Sequence, residues 1–354
     1  MASSRSLLGV TQGADMNQGA SPQANHLPPW LQRQLRQLNA QKGHAWLLQG
    51  PSGLGQYRLA LALAQAWLCH QPDDKRPEVA CGQCPSCHGI AVRTHADLQV
   101  LMPETWMLEL DWPLDESTQR ELDDKKRKPS REIRVEAARE LITFTQRTAS
   151  GPKGKVVLIY PADRMNGITA NTLLKTLEEP AGDTRFVLAT DAQHLLLPTI
   201  RSRCLGHTLS WPVLDEGVNW LSTQGLTATE AKGLLKAAGG RPDDALALAR
   251  TGFSAKRWSA IPRALKSGDA APLQDIGGTL LVSVLQKVCH DQLSLHLGAE
   301  PRFFEPEDLV PGGNIHSLTD WSRSLQRSAR SAEHPFHAGL MQDALIGQAS
   351  TALR

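Results

Sequence analysis

A glycine-rich turn between an apolar run and a helical pattern constrains the fold of this chain more than any other feature. Residues 45–48 form a short apolar run, residues 50–55 contain three glycines, and residues 57–68 are helix-like. Strand, glycine-rich turn and helix in this order open a phosphate-binding α/β unit. The turn therefore predicts an α/β fold.

Strand and helix patterns continue to alternate along the first 207 residues. Further strands are predicted at residues 97–102, 155–160 and 185–190. Helices are predicted at residues 30–38, 135–144 and 165–177. Such alternation is typical of a parallel sheet covered by helices. After about residue 208 no strong strand pattern appears, so the remainder is predicted to be helical.

The glycine-rich turn has the spacing of a phosphate loop without its chemistry. Gly50, Gly53 and Gly55 fit the pattern G-x-x-x-x-G-K-[ST], in which backbone amides cradle phosphates. Gln56 stands at the lysine position, and Tyr57 stands where Ser or Thr would hold Mg²⁺. A structural turn is the favoured interpretation, and weak nucleotide binding without turnover remains an alternative.

The strand at residues 155–160 lacks the acidic end that an active NTPase needs. A carboxylate there holds Mg²⁺, and a following Glu polarises the attacking water. Tyr160 and Pro161 occupy these positions. Asp163 lies farther along, where we expect it to cap the next helix. Two independent departures at one site predict no ATP hydrolysis by this chain.

Four of the six cysteines lie close together, in the pattern Cys69-x₁₁-Cys81-x₂-Cys84-x₂-Cys87. In a reducing compartment such clustering indicates a metal site rather than disulfides. Four thiolates close a tetrahedral shell around Zn²⁺ and leave no open position, which predicts a structural site. An iron–sulfur cluster is the competing occupant. Nearby alternative ligands are His70, His88 and His95. Cys204 and Cys289 are predicted to be ordinary buried thiols.

Composition and charge bear on the charged insertion, on DNA binding and on the location of the chain. Residues 103–131 are rich in Pro, Trp and alternating charge, which predicts a solvated, mobile insertion. The formal net charge of +2 argues against a dedicated DNA-binding surface. Residues 1–24 are predicted to be a flexible tail without a secretory signal. No apolar run is long enough to span a membrane, so we expect a cytoplasmic protein.

Three further segments carry specific patterns. Residues 171–180 read NTLLKTLEEP, residues 186–190 read FVLAT, and residues 202–204 are Ser202, Arg203 and Cys204. Taken with the turn and the cysteines, they resemble the bacterial clamp-loader AAA+ subunits of DNA polymerase III, which share the pattern N-x-L-L-K-x-L-E-E-P, the third strand and the S-R-C motif. The agreement covers residues 44–207, about half of the chain.

The departures from the family pattern resemble the delta-prime type of subunit rather than the motor subunits. The motor subunits keep the lysine, the threonine and the acidic pair that are absent here. They also carry an arginine within G-S-x-R-x-A-L. In this chain Asp243 stands at that arginine position, and Arg241 lies two places earlier.

This resemblance implies an architecture and a role. It implies a RecA-like AAA+ domain at residues 25–207 with a zinc module at 69–87, a helical lid at 208–252 and a helical collar at 253–354. Arg203 would act in trans as an arginine finger on ATP bound by a neighbouring gamma/tau-type motor subunit. Other implied partners are the delta subunit, the sliding clamp and primed DNA.

Other interpretations of the same residues remain open. The chain could be an active AAA+ ATPase with unusual motifs, which Gln56, Tyr57 and Tyr160 oppose. It could also be a zinc-stabilised DNA-binding protein, which the near-neutral charge opposes. Lys175 and Glu178 are either part of an intersubunit face or plain surface charges.

Overall fold

The computed structural model of the chain describes residues 27–71, 79–331 and 338–354. These residues divide into two units, with the boundary between Ser210 and Trp211. The predicted tail at residues 1–24 lies outside the described residues. The predicted division into a lid and a collar stays a prediction.

The first unit is built on a five-stranded sheet in which every pairing is parallel. Its strands are β1 (Ala45–Gln49), β2 (Leu98–Leu101), β3 (Lys155–Ile159), β4 (Thr184–Thr190) and β5 (Leu205–Thr208). Their order across the sheet is β2-β3-β4-β1-β5. The parallel α/β fold is confirmed. The edge strand β5 was not predicted, because its largely exposed residues form no apolar run.

The described part of the first unit also contains eight α-helices, some of which cover the sheet. They are α1 (Pro29–Asn39), α2 (Gln56–Leu68), α3 (Pro85–Ala91), α4 (Glu104–Glu109), α5 (Glu116–Asp123), α6 (Val135–Gln146), α7 (Gly167–Glu178) and α8 (Pro198–Arg201). Strand β3 is buried at every position, which explains its continuous apolar sequence. On one face of the sheet, Leu141 of α6 and Leu173 of α7 pack in a core with Val157 and Phe186.

The start of α7 corrects one expectation. Asn166 caps this helix, because its side chain accepts a hydrogen bond from the backbone N–H of Thr169 at 2.9 Å. Asp163 instead lies in the preceding 3-10 turn and accepts the hydroxyl hydrogen of Thr190 at 2.6 Å. The expectation that Asp163 caps the helix is wrong, because its carboxylate instead accepts a hydrogen bond from Thr190 at the end of β4.

The charged segment at residues 103–131 is more ordered than its composition suggested. It contains α4 and α5, and Glu104 is only 8% exposed. The Glu104 carboxylate pairs with the Arg127 guanidinium, with Nη2 at 3.0 Å from Oε1. The expectation of a loop is wrong where α4 and α5 form, whereas α5 is solvated as expected, since none of its residues is buried. The expected mobility of the segment stays a prediction.

In the second unit, the residues that the structure describes form helices and no strand, which confirms the predicted helical character. The helices are α9 (Leu214–Thr223), α10 (Ala228–Ala237), α11 (Pro242–Arg250), α12 (Ala255–Ser267), α13 (Gly278–His296), α14 (Ile315–Ser331) and α15 (Ala338–Ala352). None of the described helices combines the length and apolar character needed to cross a bilayer.

A buried carboxylate organises the loop that follows α13. Asp291 is fully buried and accepts hydrogen bonds from the backbone N–H groups of Arg302, Phe303 and Phe304 at 3.0, 2.7 and 2.8 Å. The Phe304 ring then stacks on Trp258 of α12 with centroids 4.9 Å apart. One charge therefore connects two helices through a loop.

We expect Asp291→Ala to lower the free energy of unfolding by about 3 kcal/mol or more, because three buried or partly buried N–H groups lose a charged acceptor. Urea denaturation would measure this change. Asp320→Ala is the matched control, since this aspartate is 74% exposed and pairs with Arg323 on the surface of α14. Equal effects of the two substitutions would contradict the assignment.

Candidate functional site

The glycine-rich turn connects β1 to α2 in a conformation that requires glycine. Gly53 and Gly55 have positive φ angles of 78° and 96°, in the region that other residues seldom adopt. A Cβ atom at Gly55 would also lie only 2.7 Å from Cδ1 of Leu31. The turn therefore has the backbone of a tight loop at the start of a helix.

Gln56 closes this loop on itself. Its side chain is 4% exposed, and its amide donates hydrogen bonds to the carbonyls of Gly50 at 2.8 Å and Pro51 at 2.6 Å. A lysine at this position would carry a positive charge to the phosphates. The neutral amide stabilises the turn and offers no such charge.

Tyr57 and Tyr160, which stand at the two Mg²⁺-ligand positions of the motif, pack against each other. Their ring centroids are 5.3 Å apart, with the planes inclined by 32°. Burial raises the pKa of Tyr57, although the charge of Arg93 and a hydrogen bond from Trp112 oppose this effect. The phenol therefore stays protonated and does not replace the anionic oxygen ligands that Mg²⁺ prefers.

Three residues that sequence reasoning missed complete this aromatic cluster. Trp112 Nε1 donates a hydrogen bond to the Tyr57 hydroxyl at 2.7 Å. The Trp106 ring meets Tyr160 edge-on at 5.3 Å. Arg93 lies over Trp112, with its guanidinium carbon 4.6 Å from the ring centroid. The available signal was two tryptophans in a charged segment, since such large apolar rings are usually packed against something.

The four clustered cysteines converge on one point. Their Sγ atoms all lie within 4.8 Å of one another. The Cys69–Cys84 and Cys81–Cys87 sulfur pairs are 4.0 and 3.9 Å apart. A tetrahedral shell with Zn–S bonds of about 2.3 Å separates its sulfurs by roughly 3.8 Å. The cluster therefore has the dimensions for one ion, whereas an iron–sulfur cluster would place several atoms between its thiolates.

Backbone N–H groups donate hydrogen bonds to these sulfurs, which favours the negatively charged thiolate form that binds a cation. Cys84 caps α3 and accepts a hydrogen bond from the N–H of Cys87 at 3.4 Å. Burial raises the pKa of Cys81, but hydrogen bonds from the backbone of Gln83 and Cys84 outweigh it and lower this pKa to about 6. Burial raises the pKa of Cys87. A bound metal ion would stabilise all four thiolates together.

The nearby histidines are not brought into this cluster. Among the described residues, the group that can hold a metal consists of the four cysteines alone. Both ring nitrogens of His95 are engaged, with Nε2 2.8 Å from the Ser86 hydroxyl and Nδ1 accepting the N–H of Asp97 at 3.0 Å. His95 therefore supports the loop beside the cluster.

The S-R-C motif divides its side chains between core and surface. Cys204 packs against the core beneath the sheet, and burial raises its pKa to about 12. Arg203 lies at the surface with 28% of its side chain exposed. Its Nε and Nη2 donate to Oε2 of Glu178 at 3.1 and 2.9 Å, and its Nη1 donates to the Thr199 carbonyl at 2.9 Å. The motif therefore meets the end of α7.

The second-sensor positions lie in the other unit. Arg241 donates from Nε to the Ala238 carbonyl at 2.9 Å, and its Nη2 is 2.9 Å from Oδ2 of Asp244. Asp244 is 9% exposed. Arg241 is therefore used within its own unit, at the start of α11.

The first unit defines the class of the protein. A parallel sheet with a glycine-rich turn between β1 and the following helix is the architecture of P-loop proteins. Here Gln56 stands where the loop of an active P-loop protein has its lysine, and four cysteines follow the body of α2. A family model described as DNA polymerase III, delta subunit, matches residues 26–211, and the chain belongs to this family.

Similar proteins agree with this assignment. The chain is 39% identical over 196 residues to DNA polymerase III subunit delta' of Pseudomonas aeruginosa, covering 55% of this chain and 52% of that protein. It is 34% identical over 238 residues to subunit delta' of Escherichia coli, covering 66% and 62%. The predicted resemblance to delta-prime subunits is confirmed. The matched segments span about half to three fifths of these relatives.

One solved structure resembles the chain at low identity. It is a DNA polymerase III gamma subunit-related protein from Thermotoga maritima, with 16% identity and a TM-score of 0.44. The likeness covers 92% of this chain and 100% of that one.

We expect the purified protein to contain about one Zn²⁺ per chain, and Cys84→Ser to lose most of it, because the tetrahedral shell loses a thiolate. Elemental mass spectrometry would measure the metal content. Cys204→Ser, which changes a cysteine outside the cluster, should keep it. Visible absorbance from bound iron would contradict the zinc assignment.

Proposed function

We propose that this chain is a non-hydrolysing subunit of the DNA polymerase III clamp loader, and that it supplies Arg203 in trans to ATP bound by a neighbouring subunit. One contrast carries the proposal. The side chain of Gln56 donates its hydrogen bonds to carbonyls of the chain's own phosphate loop, whereas the side chain of Arg203 is partly exposed at the surface. The chain therefore assists hydrolysis elsewhere without performing it.

The absence of hydrolysis in cis is argued from the three positions that carry the chemistry in active relatives of the fold. A lysine reaches the phosphates, and a Ser or Thr with an Asp holds Mg²⁺. Gln56, Tyr57 and Tyr160 supply neither the charge nor the ligands. An active ATPase would need both, so no observation favours that alternative.

The finger role is argued from the donors that Arg203 keeps available. A guanidinium has five N–H groups. Within the part of the chain that the structure describes, Glu178 and Thr199 accept from three of them. One N–H on each terminal nitrogen is left to reach an oxygen of the γ-phosphate, where an arginine neutralises charge that develops in the transition state.

The proposed partners follow from the family and from the charge. They are motor subunits of the gamma/tau type and the delta subunit, with the sliding clamp and primed DNA reached through the assembled complex. The net charge of +2 supports contact with DNA through the complex rather than through a dedicated basic surface. The proposed location is the cytoplasm.

The remaining parts of the chain are given supporting roles. Zn²⁺ bound by Cys69, Cys81, Cys84 and Cys87 would stabilise the segment after α2. Residues 208–252 would form a small lid, and residues 253–354 a collar that holds neighbouring subunits. In support of this division, α11 ends at Arg250 and α12 begins at Ala255.

We expect the purified chain to hydrolyse no ATP, and Arg203→Ala to slow hydrolysis at the adjoining site of the assembled complex by about 10³-fold or more. Single-turnover hydrolysis, with clamp and primed DNA present, would measure this rate. Arg201→Ala is the matched control, since it removes an exposed arginine two residues away.

Two results would contradict the proposal in different ways. An unchanged rate with Arg203→Ala would show that the finger is assigned to the wrong residue. Robust hydrolysis by the chain alone would show that the phosphate loop works by another chemistry.

A further inference from the structure

The charged insertion at residues 103–131 is anchored from within. Its Glu104 carboxylate accepts hydrogen bonds from the Arg127 guanidinium and from the backbone N–H of Ser130 at 2.8 Å, and Arg134 lies 3.4 Å away. Burial alone would raise the pKa of Glu104, but these partners outweigh it and lower the pKa. The carboxylate therefore stays charged and fixes both ends of the insertion together.

From this anchor, the insertion presents two tryptophans to the remnant of the nucleotide site. Trp106 meets Tyr160, and Trp112 donates to the Tyr57 hydroxyl. Trp112 is only 7% exposed, and Arg93 lies over its ring. A guanidinium over an indole is a favourable cation–π arrangement.

The positions of these aromatic rings indicate what the insertion does. In P-loop NTPases, the Ser or Thr after the lysine and the acidic residue after the second strand hold Mg²⁺ against the terminal phosphates. Tyr57 and Tyr160 stand at those positions and touch each other, and the two tryptophans pack around them. We propose that residues 103–131 are a built-in plug that closes this site to nucleotides.

The plug predicts a result for nucleotide binding that the changed residues of the phosphate-loop motif, taken alone, do not predict. If only Gln56 and Tyr57 kept nucleotides out, restoring a lysine and a threonine would restore binding. With the plug in place the restored loop stays closed. Opening it also requires removal of the tryptophans or release of their anchor.

The test is a titration of three full-length variants with a fluorescent ATP analogue and Mg²⁺. The first variant carries Gln56→Lys and Tyr57→Thr, the second adds Trp106→Ala and Trp112→Ala, and the third instead adds Arg127→Met. We expect no saturable binding by the first, which sets only a lower limit on its Kd. The second and third should bind saturably, with a Kd at least tenfold below that limit. Circular dichroism and metal content would confirm that each variant folds.

The third variant keeps the test decisive if the loss of two tryptophans prevents folding. Arg120→Ala in the restored-loop background is its control, since Arg120 is 77% exposed on α5 and pairs only with Glu116 among the described residues. This control should remain closed. Equal binding with and without the plug would overturn the proposal, and so would no binding by any folded variant.

A separate observation concerns Glu178, and the inference drawn from it rests on the proposed function of Arg203. The Glu178 carboxylate accepts from Nε and Nη2, which is the side edge of the guanidinium, and the Thr199 carbonyl accepts from Nη1. Among the described residues, one N–H group on each terminal nitrogen is left without an acceptor. Two N–H groups of one guanidinium can donate to two phosphate oxygens.

The Arg203–Glu178 pair contributes little to folding, because both side chains are partly exposed, at 28% and 59%. The pair instead holds the long, flexible side chain of Arg203 in one orientation before a neighbouring subunit binds. We infer that Glu178 is a positioning residue for Arg203. It acts through the arginine and touches no substrate.

Single-turnover hydrolysis by the assembled complex tests this inference. We expect Glu178→Ala to slow the site that Arg203 serves by about tenfold, as a misplaced group does. Glu178→Gln should recover much of the rate, because its amide oxygen still accepts a hydrogen bond. Glu178→Ala added to Arg203→Ala should cause no further loss. Glu179→Ala, which removes the neighbouring exposed carboxylate, is the control.

The outcomes separate this inference from the function on which it rests. If Arg203→Ala has no effect, the finger assignment fails and the positioning role fails with it. If Arg203→Ala slows hydrolysis but Glu178→Ala does not, only the positioning role is wrong. Losses that multiply in the double variant would also overturn it, because Glu178 would then act independently of Arg203.

Discussion

The requirement that the strands of a parallel sheet be buried on both faces governs the first unit. Strand β3 is buried at every position, and α2, α6 and α7 flank the sheet. Because all five strands run in one direction, their carboxyl ends lie along one edge, where open α/β sheets form their sites. Tyr57 and Tyr160, and likewise Asp163 and Thr190, come together at that edge for this reason.

At this edge the chain keeps the geometry of a phosphate-binding fold and replaces its chemistry with packing. The glycines keep the left-handed backbone of the loop, but Gln56 turns its amide onto the loop carbonyls. Tyr57 and Tyr160 provide ring contacts where ligands for a cation would be needed. Such a substitution preserves the fold, since buried aromatic surface stabilises the same junction without a bound ion.

Burial decides what each charged residue can do. Glu104 and Asp291 are removed from water, and each is held by several N–H groups, so both serve the structure. Arg203 and Glu178 remain partly exposed, so their attraction is screened by water and contributes little to stability. Both side chains therefore remain accessible at the surface.

The sequence by itself determined the parallel α/β fold, the helical second half, the cysteine set and the changed motif residues. Each of these depends on local pattern, because a buried strand needs an apolar run and a thiolate shell needs a particular spacing. Sequence reasoning missed β5 and the contacts of Trp106 and Trp112 with Tyr160 and Tyr57, and it misassigned Asp163. These depend on contacts between distant segments, such as Trp112 with Tyr57, which no local pattern encodes. Only the tertiary structure decided that the charged insertion is anchored on Glu104 and packed against Tyr160, because long-range burial and charge pairing appear only when the chain is folded.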